Sequence, residues 1–115
     1  MEIKRFETNN RMSKVVSHNN TLYLCGQVHD SGDVSEQTAQ ILSKIEAILN
    51  EYGSDKEHIL SATIYLKDIK ADFAAMNAVW DSYFEGGFAP ARACVEASMA
   101  RDCLLVEMTI TAAVK

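Results

Sequence analysis

The residues best suited to chemistry fall in three short runs. In Ala89-Pro90-Ala91-Arg92-Ala93-Cys94-Val95-Glu96, strand alternation puts Arg92, Cys94 and Glu96 on one side and Ala91, Ala93 and Val95 on the other. Downstream, Leu104, Val106, Met108, Ile110, Ala112 and Val114 form an apolar face, with Glu107, Thr109 and Thr111 opposite. The third run, Leu24-Cys25-Gly26-Gln27-Val28, carries a glycine inside a strand pattern. A guanidinium grips a carboxylate bidentately, as an ammonium does not. A positioned carboxylate takes a proton from water and returns it to a leaving group. Arg92 and Glu107 are the guanidinium and carboxylate that could share a face, with Cys94 beside them.

If the two C-terminal runs pair as a hairpin with its turn between Met99 and Ala100, Arg92 faces Glu107 and Cys94 faces Leu105. Directly opposed side chains then share a face, with Cβ atoms about 5 Å apart. On residues alone the pair has two meanings, a catalytic couple or a cross-strand ion pair at a subunit contact. Gly26 also has two, a bulge or close backbone approach, or a ligand resting on its main chain. Cys94 has no histidine at a predictable distance to favour the thiolate, so it reads as a small pocket liner. Cys25 and Cys103 read as packing residues. His18, His29 and His58 lack ligand spacing, so no metal site is expected.

The elements that position these groups are legible in order. A short strand is expected around residues 3–6. Residues 14–18 and 21–28 read as strands joined through Asn19-Asn20, residues that tolerate positive φ in a two-residue hairpin. Asp33 with Glu36, or Ser35 itself, offers a cap to a helix that ends at Gly53, with Ile41, Leu42, Ile45, Ile48, Leu49 and Tyr52 at helical spacing. Residues 60–66 alternate as a strand. Asp68 opens a second helix through Phe84, in which Trp80 and Phe84 fit a helix-to-sheet core and Asn77 a structural hydrogen bond. Pro90, the only proline, suits a strand's first residue. The sum is an α+β fold: a mixed β-sheet with two helices packed on one face and a closing C-terminal β-hairpin. The half-polar opposite face is a natural meeting place for subunits.

At 115 residues the chain reads as a single domain, residues 1–115. Eleven scattered basic residues and a net charge of −5 argue against a nucleic-acid partner. No apolar stretch reaches membrane-spanning length or resembles a signal peptide. Three cysteines without a C-x-x-C pair suit free thiols in a reducing cytoplasm.

The 24–28 run, Ala71-Asp72-Phe73-Ala74-Ala75-Met76-Asn77, the 89–95 run and Val106-Glu107-Met108 together resemble the reactive-intermediate deaminase family, also called Rid or YjgF-like. The resemblance covers nearly the whole chain with matching spacings. It implies a chorismate-mutase-like fold, a homotrimer with sites between subunits, and no cofactor. It further implies hydrolysis of 2-imino acids and their 2-enamino tautomers, such as 2-iminopropanoate and 2-iminobutanoate, to 2-oxo acids and ammonia. That reaction protects the pyridoxal-phosphate enzymes that release them. Carried over, Arg92 holds the substrate carboxylate, Gly26 presents backbone groups, Glu107 places or activates water, and Cys25 and Cys94 line the substrate site. Cys25 stands where many members have serine, and Met12 where an aromatic is usual, which places the chain nearer a sibling subgroup than the archetypal deaminase. The competing expectation is a trimeric binder or sensor of small carboxylates that does not turn them over.

Overall fold

The computed structural model describes residues 2–115. Strands β1 (Lys4–Thr8), β2 (Ser13–His18) and β3 (Thr21–Leu24) lead into helix α1 (Val34–Glu51). Strand β4 (Ile59–Leu66), helix α2 (Ile69–Tyr83) and strands β5 (Ala91–Glu96) and β6 (Val106–Ala113) complete the chain. The strands make one mixed sheet in the order β1-β2-β3-β6-β4-β5.

Local chemistry sets the element ends. Asn19 and Asn20 both adopt positive φ, 53° and 59°, as a tight β2–β3 turn of the right twist demands. Asp33 and Glu36 form a reciprocal capping box at the start of α1, and Gly53 follows its C-cap at φ 89°. Asp68 caps α2 by accepting from the Ala71 amide at 3.1 Å. Both helices cover the same side of the sheet. There Ile41, Leu42, Ile45 and Leu49 of α1 and Met76 and Trp80 of α2 join Ile64, Leu66, Val106 and Met108 in one buried core.

The expected closing hairpin is not formed. β5 pairs parallel with β4 (Ala62↔Arg92, Ile64↔Cys94, Leu66↔Glu96), and β6 pairs antiparallel with the other edge of β4 (Ile64↔Met108, Tyr65↔Glu107). β4, α2 and β5 are thus a strand–helix–strand crossover, and residues 97–105 carry the chain across the end of β4 to its far side. Apolar content explains the choice. β6 brings Val106, Met108, Ile110 and Ala112 to the core and earns a central place, whereas β5 offers two alanines, a cysteine, a valine and two charged residues and takes the edge.

This topology reverses one expected grouping. Residues paired across adjacent strands share a face. Arg92, Cys94 and Glu96 therefore lie on the helix-covered side with Ala62, Ile64 and Leu66, not beside Glu107. Glu107, Thr109, Thr63 and Tyr65 lie on the side that no helix covers. Tyr23 and Val95 on that bare side remain 47% and 43% exposed.

A buried amide absent from the sequence reading ties the long connection down. Gln37 of α1, 1% exposed, donates from Nε2 to the carbonyls of Gly32 (3.2 Å) and Cys103 (2.9 Å). Its Oε1 accepts from the Leu105 amide at 2.9 Å. The start of β6, and with it Glu107, is anchored to α1 through one side chain.

Candidate functional site

The site groups lie in two separate places on the protomer. The first is at the β5 edge. Arg92 reaches back over α2, where its Nη2 donates to Asn77 Oδ1 at 2.7 Å. Its guanidinium carbon stands 5.2 Å from the centroid of the Trp80 ring, within cation–π range. Trp80 is fixed by its own packing, 4% exposed and 4.5 Å from the Phe84 ring. The guanidinium is therefore neither loose in solvent nor sealed in, but held at an exposed rim. Among the described residues no carboxylate lies within ion-pair distance of it. Cys94, two residues on, packs against the core. Burial pushes its thiol pKa up, against the lowering pull of Arg92. Glu96 is occupied elsewhere, accepting from the Ile69 amide at the start of α2.

The second place is the bare face near β3 and β6. The register of β6 slips by one residue between Tyr23↔Thr111 and Gln27↔Met108, so the strand bulges at Cys25-Gly26. Gln27 and Met108 then exchange both backbone hydrogen bonds, at 2.8 and 3.1 Å. The Glu107 carboxylate folds into the space where a Gly26 side chain would be, and a Cβ there would stand 3.0 Å from Glu107 Cδ. A side chain at Gly26 would thus displace this carboxylate, the candidate general base, and no backbone. Burial raises the Cys25 thiol pKa and nearby Glu107 adds to the rise, while Gln27 Nε2 donates to its Sγ at 3.4 Å. Neither Cys25 nor Cys94 is set up as a thiolate nucleophile.

Glu107 lines a depression of about 290 Å³ with Tyr65, Thr109 and the connection residues Ala97, Ser98 and Met99. Thr109 Oγ1, on its wall, is buried without a hydrogen-bond partner. An orphaned hydroxyl of this kind calls for an explanation. Larger hollows lie elsewhere; one of about 650 Å³ between α1 and α2 is lined mainly by small side chains and contains none of these groups.

Of the predicted site residues, the fold brings Cys25, Gly26 and Glu107 together and sets Arg92 with Cys94, but it separates the two sets. β4 stands between β5 and β6, and the two key side chains leave opposite faces of the sheet. The expected Arg92–Glu107 cross-strand pair does not exist within one chain. Asn77 and Trp80 carry more of the site than the sequence reading gave them. Their signal was available, three residues apart on one helix and therefore neighbours on its surface. Among the described residues, no group of three or more His, Cys, Asp or Glu side chains converges as a metal site would require. No helix there is long and apolar enough to cross a membrane.

Fold and site together define an α+β protein with one bare sheet face, its polar site groups divided into two halves. The chain belongs to the Endoribonuclease L-PSP family, known also by the names YjgF, RutC and Rid, whose profile matches residues 2–114. The RutC family protein YoaB of Escherichia coli strain K12 is 47% identical over 115 residues, covering 99% of this chain and all of that one. Among solved structures, NMB1025 of Neisseria meningitidis, a YjgF family member, superposes with a TM-score of 0.94 at 46% identity. That match covers 100% of this chain and 97% of the other. YyfA of Yersinia pestis, of the Rid family and described as of unknown function, gives 0.85 at 30% identity over 93% and 90% of the two chains.

Proposed function

We propose that this protein hydrolyses small 2-imino acids and their 2-enamino tautomers to 2-oxo acids and ammonia, in sites completed between copies of the chain. The observation that carries the reading is the pair of half-sites. One offers a guanidinium tethered at the β5 rim, unmatched by any described carboxylate. The other offers a carboxylate seated on Gly26 beside an open depression. Because the two lie on opposite faces, a site using both is built from two protomers. The bare face, with Tyr23 and Val95 exposed, supplies the contact surface. A closed ring of three, the assembly that the family resemblance implies, makes each rim meet a neighbour's Glu107.

In such a site Arg92 takes the substrate carboxylate in a two-pronged grip. This fixes the C=N carbon above Gly26 and Glu107 of the neighbouring subunit. Positioning of this kind removes several kcal/mol of a barrier (~7 or more in favourable cases). Glu107 accepts a proton from water as the oxygen bonds to the imine carbon. It hands that proton to nitrogen, giving a carbinolamine, and then carries the hydroxyl proton to nitrogen in the same way as the C=O bond forms and the C–N bond breaks, leaving 2-oxo acid and ammonia. Cys25 and Cys94, held as neutral thiols, line the walls.

The family description names an endoribonuclease. A net charge of −5 and dispersed cations favour a small acid over a phosphate backbone here. The test is to generate 2-iminobutanoate with a pyridoxal-phosphate dehydratase and follow its loss and the appearance of 2-oxobutanoate. Added protein is expected to speed the decay, and Arg92→Ala to abolish the effect. A decay rate unchanged by wild-type protein removes the enzyme reading, and salt-insensitive RNA cleavage would replace it.

A further inference from the structure

The Arg92 guanidinium is more restrained than an edge-strand arginine needs to be. Its guanidinium carbon stands over the indole of Trp80, and its Nη2 is tied to Asn77 Oδ1. Both partners belong to α2, three residues apart, so they form one continuous surface. That surface is itself rigid. Asp68 caps the helix, Met76 and Trp80 are buried in the core, and the ring of Phe84 is braced by Tyr83 and Phe88 at 4.9 and 5.8 Å. A planar cation held over an aromatic ring and tied through one nitrogen has its plane and rotation restricted, while its other N–H donors stay unpaired among the described residues.

The tether is also neutral. This chain carries 16 acidic residues, yet the group that meets Arg92 is an amide. A carboxylate in that place would form a charge-assisted pair and satisfy the guanidinium internally. An amide oxygen orients it and leaves its charge available to a ligand.

We propose that Asn77 and Trp80 are positioning residues for Arg92: Trp80 sets the plane of the guanidinium, and the neutral amide of Asn77 fixes its rotation while leaving its charge for a substrate carboxylate. This rests on the proposed function. It adds that affinity for small acids depends on residue 77 being uncharged, a requirement that a purely structural hydrogen bond would not impose.

Asn77→Asp separates the two roles, because it conserves size and strengthens the bond to Arg92. The single tryptophan of the chain, lying against Arg92, supplies the readout. 2-Oxobutanoate is titrated into wild type, Asn77→Asp, Asn77→Ala and Arg92→Ala while Trp80 emission is followed, with thermal melts and imine-hydrolysis kinetics alongside. Asn77→Asp is expected to melt no lower than wild type, yet to weaken 2-oxobutanoate binding and raise KM by about tenfold or more, with a smaller change in kcat. Asn77→Ala is expected to weaken binding less, roughly three- to tenfold, since it frees the guanidinium without neutralising it. Wild-type affinity and KM in a folded Asn77→Asp, with binding abolished in Arg92→Ala, would overturn the positioning role alone. Absence of 2-oxobutanoate binding by wild type would overturn it together with the reading beneath it.

Discussion

Two inactive variants should restore one another, and the extent of restoration follows from the topology. Arg92 leaves the helix side of an edge strand and Glu107 leaves the bare side of a strand two places away, with β4 between them. At about 4.8 Å per strand this separation cannot be closed within one chain without crossing the sheet. A site using both groups therefore takes them from different protomers. Arg92→Ala removes the proposed carboxylate grip and Glu107→Gln the proposed proton carrier, and each alone is expected to lower kcat/KM by about 10²-fold or more. When the two are co-expressed in equal amounts with different tags, a site is whole only if its arginine comes from a Glu107→Gln protomer and its glutamate from an Arg92→Ala protomer. Each condition holds for half of the protomers in random assembly, so about a quarter of sites are intact. The fraction is the same for any closed assembly in which each site draws on two chains. Imine hydrolysis by the mixture, with composition read by native mass spectrometry, should reach roughly 25% of wild type per protomer. It should fall on either side of an equal ratio. Demonstrably mixed assemblies no more active than their parents would refute the divided site.

Four further outcomes follow from the geometry. Gly26→Ala pushes a flexible carboxylate and no backbone, so stability should change by less than about 1 kcal/mol in urea unfolding while hydrolysis drops about tenfold or more, because Glu107 is displaced. Iodoacetamide at pH 8 should modify exposed Cys103 first and Cys25 and Cys94 slowly, since burial raises both of their thiols; peptide mass spectrometry gives the order. Gln37→Leu should cost about 2–4 kcal/mol in denaturant unfolding, because it strips partners from several buried backbone groups at once. Tyr52 is pushed up to about 12 by burial first and then by its hydrogen bond to Glu7. A phenol that holds its proton more tightly when folded contributes fully below its unfolded value of about 10 and loses that contribution as pH rises toward 12. Unfolding stability should therefore fall over that window in wild type, and less so in Tyr52→Phe.

The features legible in the sequence are those written in neighbouring residues. Asp33 with Glu36, Asn19-Asn20 and the apolar stripe of α1 act locally and are where their chemistry requires, and the lone Pro90 lies one residue ahead of β5, not within it. Strand alternation also identified correctly which residues of β5 and β6 share a side, but it failed at two bulges, where Gln27 pairs with Met108 instead of lying with Tyr23 and where Leu60 is exposed while Ile59 is buried. It could not say which strand lies next to which, and that alone decides whether Arg92 and Glu107 meet. Two successive strands invite a hairpin, but β4, α2 and β5 already formed a crossover unit, and β4 had room for β6 only on its other edge. Gln37 was hidden for a related reason. It sits on the apolar stripe with Ile41 and Leu42, and two of its three partners are 66 and 68 residues away. The mistaken pairing is informative about function. A cross-strand ion pair would have neutralised both groups inside one protomer, whereas the observed topology keeps a cation and an anion apart on rigid supports. In the proposed function a second chain brings them to either side of a small acid, so assembly and chemistry become a single requirement.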